Sequence, residues 1–114
     1  MKRSSTAGAV KNDIAKPPMD LLSTCWLEGV ARVMGFGAKK YAKDNWRKGM
    51  LWSRLIAACL RHLLSFNDGE DRDPESGESH LLHASCCLMM LYEQTERGDK
   101  KLDDRYKPNK KETK

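Results

Sequence analysis

No run of about 18 or more apolar residues occurs in the 114 residues of this chain, so the sequence predicts no membrane-spanning helix. The basic start MKRSS leads into no apolar stretch, which predicts no secretory leader and a cytoplasmic protein. No two cysteines have CxxC spacing. Cys86 and Cys87 are adjacent, and Cys25 and Cys59 lie in apolar periodic segments, so the pattern predicts reduced, mostly buried thiols rather than a disulfide framework. No alternating apolar pattern of useful length appears, which argues against a sheet. GFGAKK lacks the glycine-lysine-serine/threonine ending of a Walker A loop. No His-Asp dipeptide occurs either, which counts against an HD-type phosphohydrolase.

What is present begins with an uneven charge. The net value is +5, but residues 1–16 hold four Lys/Arg against one acid, residues 97–114 hold eight against four, and residues 17–96 hold nine against eleven. The central part is slightly acidic and the basic ends read as solvated tails, so nucleic acid is not the expected partner. At this length the chain is one small domain. The boundaries read as a flexible N-terminal segment 1–15, a helical domain 16–96 and a charged, disordered tail 97–114.

Inside the domain, KPPMD sets an extended lead-in, since each proline fixes its own φ and keeps the preceding residue from helix. Ser23 is a candidate N-cap. After it, Trp26, Leu27, Val30, Val33, Met34, Ala38 and Tyr41 recur at three- and four-residue steps, with Gly35 and Gly37 weakening the end. A second helix is predicted from near Ser53, burying Leu55, Ile56, Cys59, Leu60, Leu63 and Leu64 until NDG stops it. A third runs from about 76 to 95, and its LLHASCCLMMLY is apolar enough to lie centrally. The expected fold is all-α, with three main helices plus short segments and a modest core that a homo-oligomer, a dimer or larger, completes.

Two stretches carry chemistry. Residues 61–83, RHLLSFNDGEDRDPESGESHLLH, hold all three histidines, His62, His80 and His83, together with six carboxylates. On a helix, His80 and His83 share a face with about 5–6 Å between their Cβ atoms. Glu70, Asp71, Asp73, Glu75 and Glu78 crowd the same helix start and repel one another unless a metal or cationic side chains neutralise them. Oxygen ligands suit Mg²⁺ or Mn²⁺, while imidazole favours Mn²⁺, Co²⁺ or Zn²⁺ over Mg²⁺. The plainer alternative is a solvated acidic turn ahead of a helix. In residues 36–49, FGAKKYAKDNWRKG, Lys39, Lys40, Arg47 and Lys48 offer phosphate contacts. Asn45 offers an amide for a base edge or sugar, and Tyr41 and Trp46 offer stacking surfaces. A basic helix end with two core aromatics is the alternative there.

Read in order, KPPMDLL (16–22), VARVMGFGAKKY (30–41), NWRKG (45–49), RLIAACLRHLL (54–64) and GEDRDPESGESHLLHA (69–84) resemble a phage family, the dATP/dGTP diphosphohydrolases, over about residues 13–93. The resemblance implies kinship with the all-α MazG-like nucleoside triphosphate pyrophosphohydrolases. These cleave between the α- and β-phosphates with a divalent metal, work as dimers or larger assemblies, and would here serve phage nucleotide metabolism in the host-cell cytoplasm. It also implies substrate contacts from Lys16 and Asp20 in the first matching segment. The MazG-like carboxylate signature, EExxE followed by ExxD, is not reproduced: Glu28 is followed by Gly29, and HLLH stands where ExxD is expected. A mixed carboxylate and histidine site is the expectation instead.

The enzyme reading therefore places phosphates against Lys39, Lys40 and Arg47 and a purine near Trp46, Asn45 and Tyr41. It places metal on Asp73, His80 and His83, with His62, Glu70 or Glu28 as further ligands, and makes Glu28 or Glu75 the general base. The competing reading is a small helical phage binding module, without catalysis, that uses its basic ends on nucleic acid or a host protein.

Overall fold

The computed structural model describes residues 8–108. Helix begins where the Ser23 hydroxyl accepts the backbone N–H of Trp26 at 3.1 Å, the cap expected from the sequence. Helix α1 (Thr24–Tyr41) passes through Gly35 and Gly37 without breaking, because Val30 and Val33 are buried on its inner face and hold it. It stops at Ala42, whose N–H reaches the carbonyl of Ala38. Ala42 has φ 99° and ψ 151°, a region nearly reserved for glycine.

A short 3-10 turn (Asn45–Lys48) leads into α2 (Trp52–Asn67). Leu51 supplies no cap to α2. The backbone N–H of Ser53 instead goes to the carboxylate of Asp104 at 2.9 Å, and the Ser53 hydroxyl donates to the same carboxylate. The expected disordered tail thus starts with structure. Lys100–Leu102 forms a 3-10 turn, Leu102 packs against Gly49, and the Arg105 guanidinium lies 5.1 Å over the Trp52 ring. Gly49 is required there, since its φ is 91° and a Cβ would stand 2.7 Å from the Leu102 methyl. The remaining tail residues, 109–114, lie outside the described residues, as does the start of the N-terminal segment.

Helix α3 (His80–Arg97) is capped by the Ser79 hydroxyl, which accepts the N–H of Leu81 at 3.1 Å. Its start is later than residue 76 because those residues are committed to the loop. Asp73 Oδ2 accepts the N–H groups of Glu75 (3.1 Å) and Ser76 (3.0 Å), Gly77 takes φ 75°, and Arg72 pairs with Ser79 as an isolated antiparallel bridge. Among the described residues there is no strand, so the all-α class stands.

Helix α3 is central: α2 and α1 each pack on it and touch one another little. The α1 contact gathers Val30, Val33 and Cys86, with Met34, Leu82 and Met90 around them, and the α2 contact joins Cys59, Ala84 and Cys87. Gly29 marks the α1–α3 crossing, because a Cβ there would meet the Leu82 methyls at 2.5 and 2.6 Å. The expected α2 core is only partly right. Leu55 and Cys59 are buried, but Leu60, Leu63 and Leu64 face outward, as do Leu81, Leu88 and Tyr92 of α3. With two helices leaning on a third, the space between α1 and α2 stays open.

Candidate functional site

That open space is a cleft of about 940 Å³ with α3 as its floor. Small side chains make the room. On α2, Arg54, Ala57, Ala58, Arg61 and His62 fall on one face, and the two alanines leave it low between the arginines. Val33, Met34, Cys86, Cys87 and Met90 give the cleft an apolar base. Burial pushes the Cys86 thiol up to about 12 and the Cys87 thiol up to about 11, so both stay protonated and behave as packing groups.

One end of the cleft holds the histidines. His80, 3% exposed, lies beneath this end, and its Nε2–H donates to Glu70 Oε1 at 2.6 Å. In the neutral ring its Nδ1 is then the lone-pair nitrogen, 2.8 Å from Nδ1 of His62. The rings of His62 and His83 stack with centroids 4.5 Å apart and 12° between planes. His83 Nε2 is taken by the Ser76 hydroxyl at 2.7 Å and lies 3.9 Å from Asp73 Oδ2.

Electrostatics bias the charge states of these groups. Burial lowers the pKa of His62, and the neighbouring His83 and His80 lower it further. Burial likewise lowers that of His83, against the pull of Asp73. Burial alone would raise the Asp73 carboxyl, but the backbone N–H of Ser76 and the nearby His83 outweigh it and the net direction is down. The neutral form of His62 and His83 and the ionised form of Asp73 are thereby favoured. Ligand atoms of His62, Asp73 and His80 all lie within 4.8 Å of one another, a donor set that fits a divalent cation.

Of the residues expected to ligate metal, His62, Asp73 and His80 converge. Glu70 stands behind His80 and orients it, and His83 stacks on the trio rather than completing it. Two other acids are neutralised by α1, with Lys40 Nζ 2.8 Å from Glu75 and Arg32 Nε 3.0 Å from Glu78. Those ion pairs relieve part of the crowding that the sequence alone assigned to metal.

Asn45, Trp46 and Arg54 also line the cleft, as does Tyr41, whose ring centroid is 5.3 Å from the Lys40 Nζ that pairs with Glu75. Lys40 and Glu75 line the cleft as well, so the basic and acidic stretches do meet. Seven expected residues do not line it: Lys16, Asp20, Glu28, Lys39, Arg47, Glu70 and His80. Lys16 and Asp20 flank the two prolines on the exposed lead-in, and Glu28 is on the outer face of α1 near Arg32. Arg47 is held by Asp44 at 3.1 Å with Glu93 at 3.8 Å, and its guanidinium lies 4.4 Å over the Trp46 ring. Arg54 and Arg61 replace it in the cleft. Their signal was in RLIAACLRH, where two arginines seven apart bracket two alanines on the histidine's face.

One cleft of this all-helical domain thus joins a histidine–carboxylate cluster to aromatic side chains. The family model described as dATP/dGTP diphosphohydrolase, N-terminal, matches residues 6–105, and the chain belongs to that family. A protein of Salmonella phage PMBT28 named dATP/dGTP diphosphohydrolase is 37% identical over 83 residues, which are 73% of this chain and 28% of that relative's length. The chain thus matches under a third of the relative. No solved structure matches it.

Proposed function

We propose that the chain hydrolyses purine deoxynucleoside triphosphates, dGTP and dATP, to the monophosphate and pyrophosphate in the cytoplasm of a phage host. The observation that carries this is the single cleft that joins His62, Asp73 and Glu75 to Tyr41, Asn45 and Trp46. Family membership supports it, as does the name of the phage relative.

Each residue then has a task. Arg61 and Lys40 flank the phosphates and stabilise the charge spread over their oxygens. His62, Asp73 and His80 would hold a divalent cation, Mn²⁺ or Mg²⁺ with Co²⁺ or Zn²⁺ as alternatives, which supplies Lewis-acid polarisation of the phosphoanhydride. Glu75, on the cleft wall, is the general base. It takes a proton from the water whose oxygen bonds to the α-phosphorus as the bond from that phosphorus to the bridging oxygen breaks. Lys40 orients the Glu75 carboxylate through their 2.8 Å contact. Tyr41 and Trp46 stack the base. A second copy of the chain is the proposed cover for the outward leucines of α2.

The test is incubation of the protein with each dNTP and each metal, followed by anion-exchange separation of products. The expected pair is dGMP or dAMP with pyrophosphate. Diphosphate with orthophosphate, or nucleoside with triphosphate, would refute the assigned bond. No turnover with any metal would shift the weight to a binding module, which would lose its partner when residues 109–114 are removed and would keep it after cleft substitutions.

A further inference from the structure

The two ends of the cleft can be ordered along α2. The turn Asn45–Lys48 leads directly into α2, so the first turn of that helix stands with Trp46, while His62 stands with Asp73 at the far end. Eight residues separate Arg54 from His62, roughly 12 Å along a helix rising 1.5 Å per residue. Arg61 is next to His62. Arg54 is two turns back, at the end of α2 that follows the turn carrying Trp46. Both arginines line the cleft, and among the described residues neither has an ion pair or a side-chain hydrogen bond.

A guanidinium so placed has two uses, to neutralise phosphate or to read a base. The separation decides between them, because phosphates gathered by Arg61 and Lys40 are held about two helical turns away. We infer that Arg54 reads the purine, its fork donating to O6 and N7 of guanine, with the amide of Asn45, on the turn that leads into α2, pairing with N6 and N7 of adenine. This rests on the nucleotide reading above. The chemistry is one of matched edges: arginine pairs bidentately with the guanine pattern and asparagine with the adenine pattern. N7 is common to both purines and absent from pyrimidines. A guanidinium and an amide lining one cleft therefore admit both purines and reject cytosine and thymine. Arg47 gains a role as well: lying 4.4 Å over the Trp46 indole, it braces the stacking ring.

The experiment is calorimetric titration of the full chain with dGMP, dAMP and dCMP in the presence of Mn²⁺, so that binding is read without turnover. Wild type, Arg54→Gln and Arg54→Lys are compared, with circular dichroism as the check on folding. Wild type should bind both purine monophosphates more tightly than dCMP. Arg54→Gln should lower dGMP affinity relative to dAMP by about 5- to 150-fold and leave dCMP unchanged. Arg54→Lys keeps the charge but loses the planar fork, and should lower dGMP affinity relative to dAMP by less than Arg54→Gln does. Equal weakening of all three ligands by Arg54→Gln with recovery in Arg54→Lys would make Arg54 a phosphate contact and overturn the inference. An unchanged dGMP to dAMP ratio, or a wild type that binds none of the three, would also overturn it. A wild type that discriminates purines yet releases no pyrophosphate from any dNTP would refute the hydrolase reading alone and leave the Arg54 assignment standing.

Discussion

Glu70 allows the cleanest perturbation of the histidine cluster. It makes no cleft contact of its own, yet its carboxylate fixes which nitrogen of His80 carries the proton, through the 2.6 Å bond to Nε2. Removing it in Glu70→Ala frees the ring to change tautomer and turn, so that Nδ1 no longer faces His62 and Asp73 reliably. Carboxylates behind a ligating histidine are typically worth about 10- to 100-fold in metal affinity. The Glu70 side chain is 53% exposed, so water replaces it in part, and the lower end applies: about 10-fold, or about 1.4 kcal/mol. His80→Ala would be harder to read. It removes a ligand from a side chain only 4% exposed and leaves His62 Nδ1 without its partner, which costs about 1–3 kcal/mol of stability besides. Titration of Mn²⁺ into wild type and Glu70→Ala, with circular dichroism confirming equal helix content, measures the effect. Equal Mn²⁺ affinities would refute the orienting role, and a wild type with no Mn²⁺ binding would refute the cation site itself.

Three further outcomes test the scaffold. Gly29→Val drives a branched side chain into the Leu82 methyls and should destabilise by about 1–3 kcal/mol, seen as a lower thermal midpoint; an unchanged midpoint would mean that α1 and α3 do not cross there. Ala42→Gly relieves about 1–3 kcal/mol of backbone strain and adds about 0.5–1 kcal/mol of unfolded-chain entropy, so the net is a gain of about 1 kcal/mol, and a fall in midpoint would contradict the strained turn. Both His62 and His83 are lowered from 6.5, so the unfolded chain binds more protons as pH falls. Stability is complete above about pH 6.5 and declines as pH falls toward the folded values, while the share from Asp73, lowered from 3.8, persists until pH drops below that value. Equal urea midpoints at about pH 7.5 and about pH 5.5 would contradict the histidine assignments.

The helices were legible in the sequence because apolar spacing reports directly on which face is buried, and Ser23 marked its own cap. The later start of α3 was not legible, because it depends on Asp73 capturing two N–H groups of the loop, an event that periodicity does not encode. Leu60, Leu63 and Leu64 look like core residues by pattern, yet α3 reaches only the face that carries Leu55 and Cys59. The histidine and acid stretch announced a site by composition alone. Its internal order, with Glu70 behind His80 and His83 stacked on His62, is a matter of three-dimensional placement. Arg54 and Arg61 were overlooked because arginine on a helix reads as solvated until the alanines between them are seen to form a groove.

The bond from Ser53 to Asp104 makes the tail a reporter of the cleft. Ser53 adjoins Arg54 in the first turn of α2, so a ligand that orders this turn also tightens the grip on Asp104. Thermodynamic linkage is reciprocal, and what the ligand does for the tail, the tail does for the ligand. Trypsin cleaves after Arg105, just beyond that anchor, while the Lys107–Pro108 bond resists it. Nucleotide bound 51 residues away in sequence should slow this cleavage, and shortening the chain to residue 96 should weaken nucleotide binding by the same factor that the nucleotide strengthens the anchor.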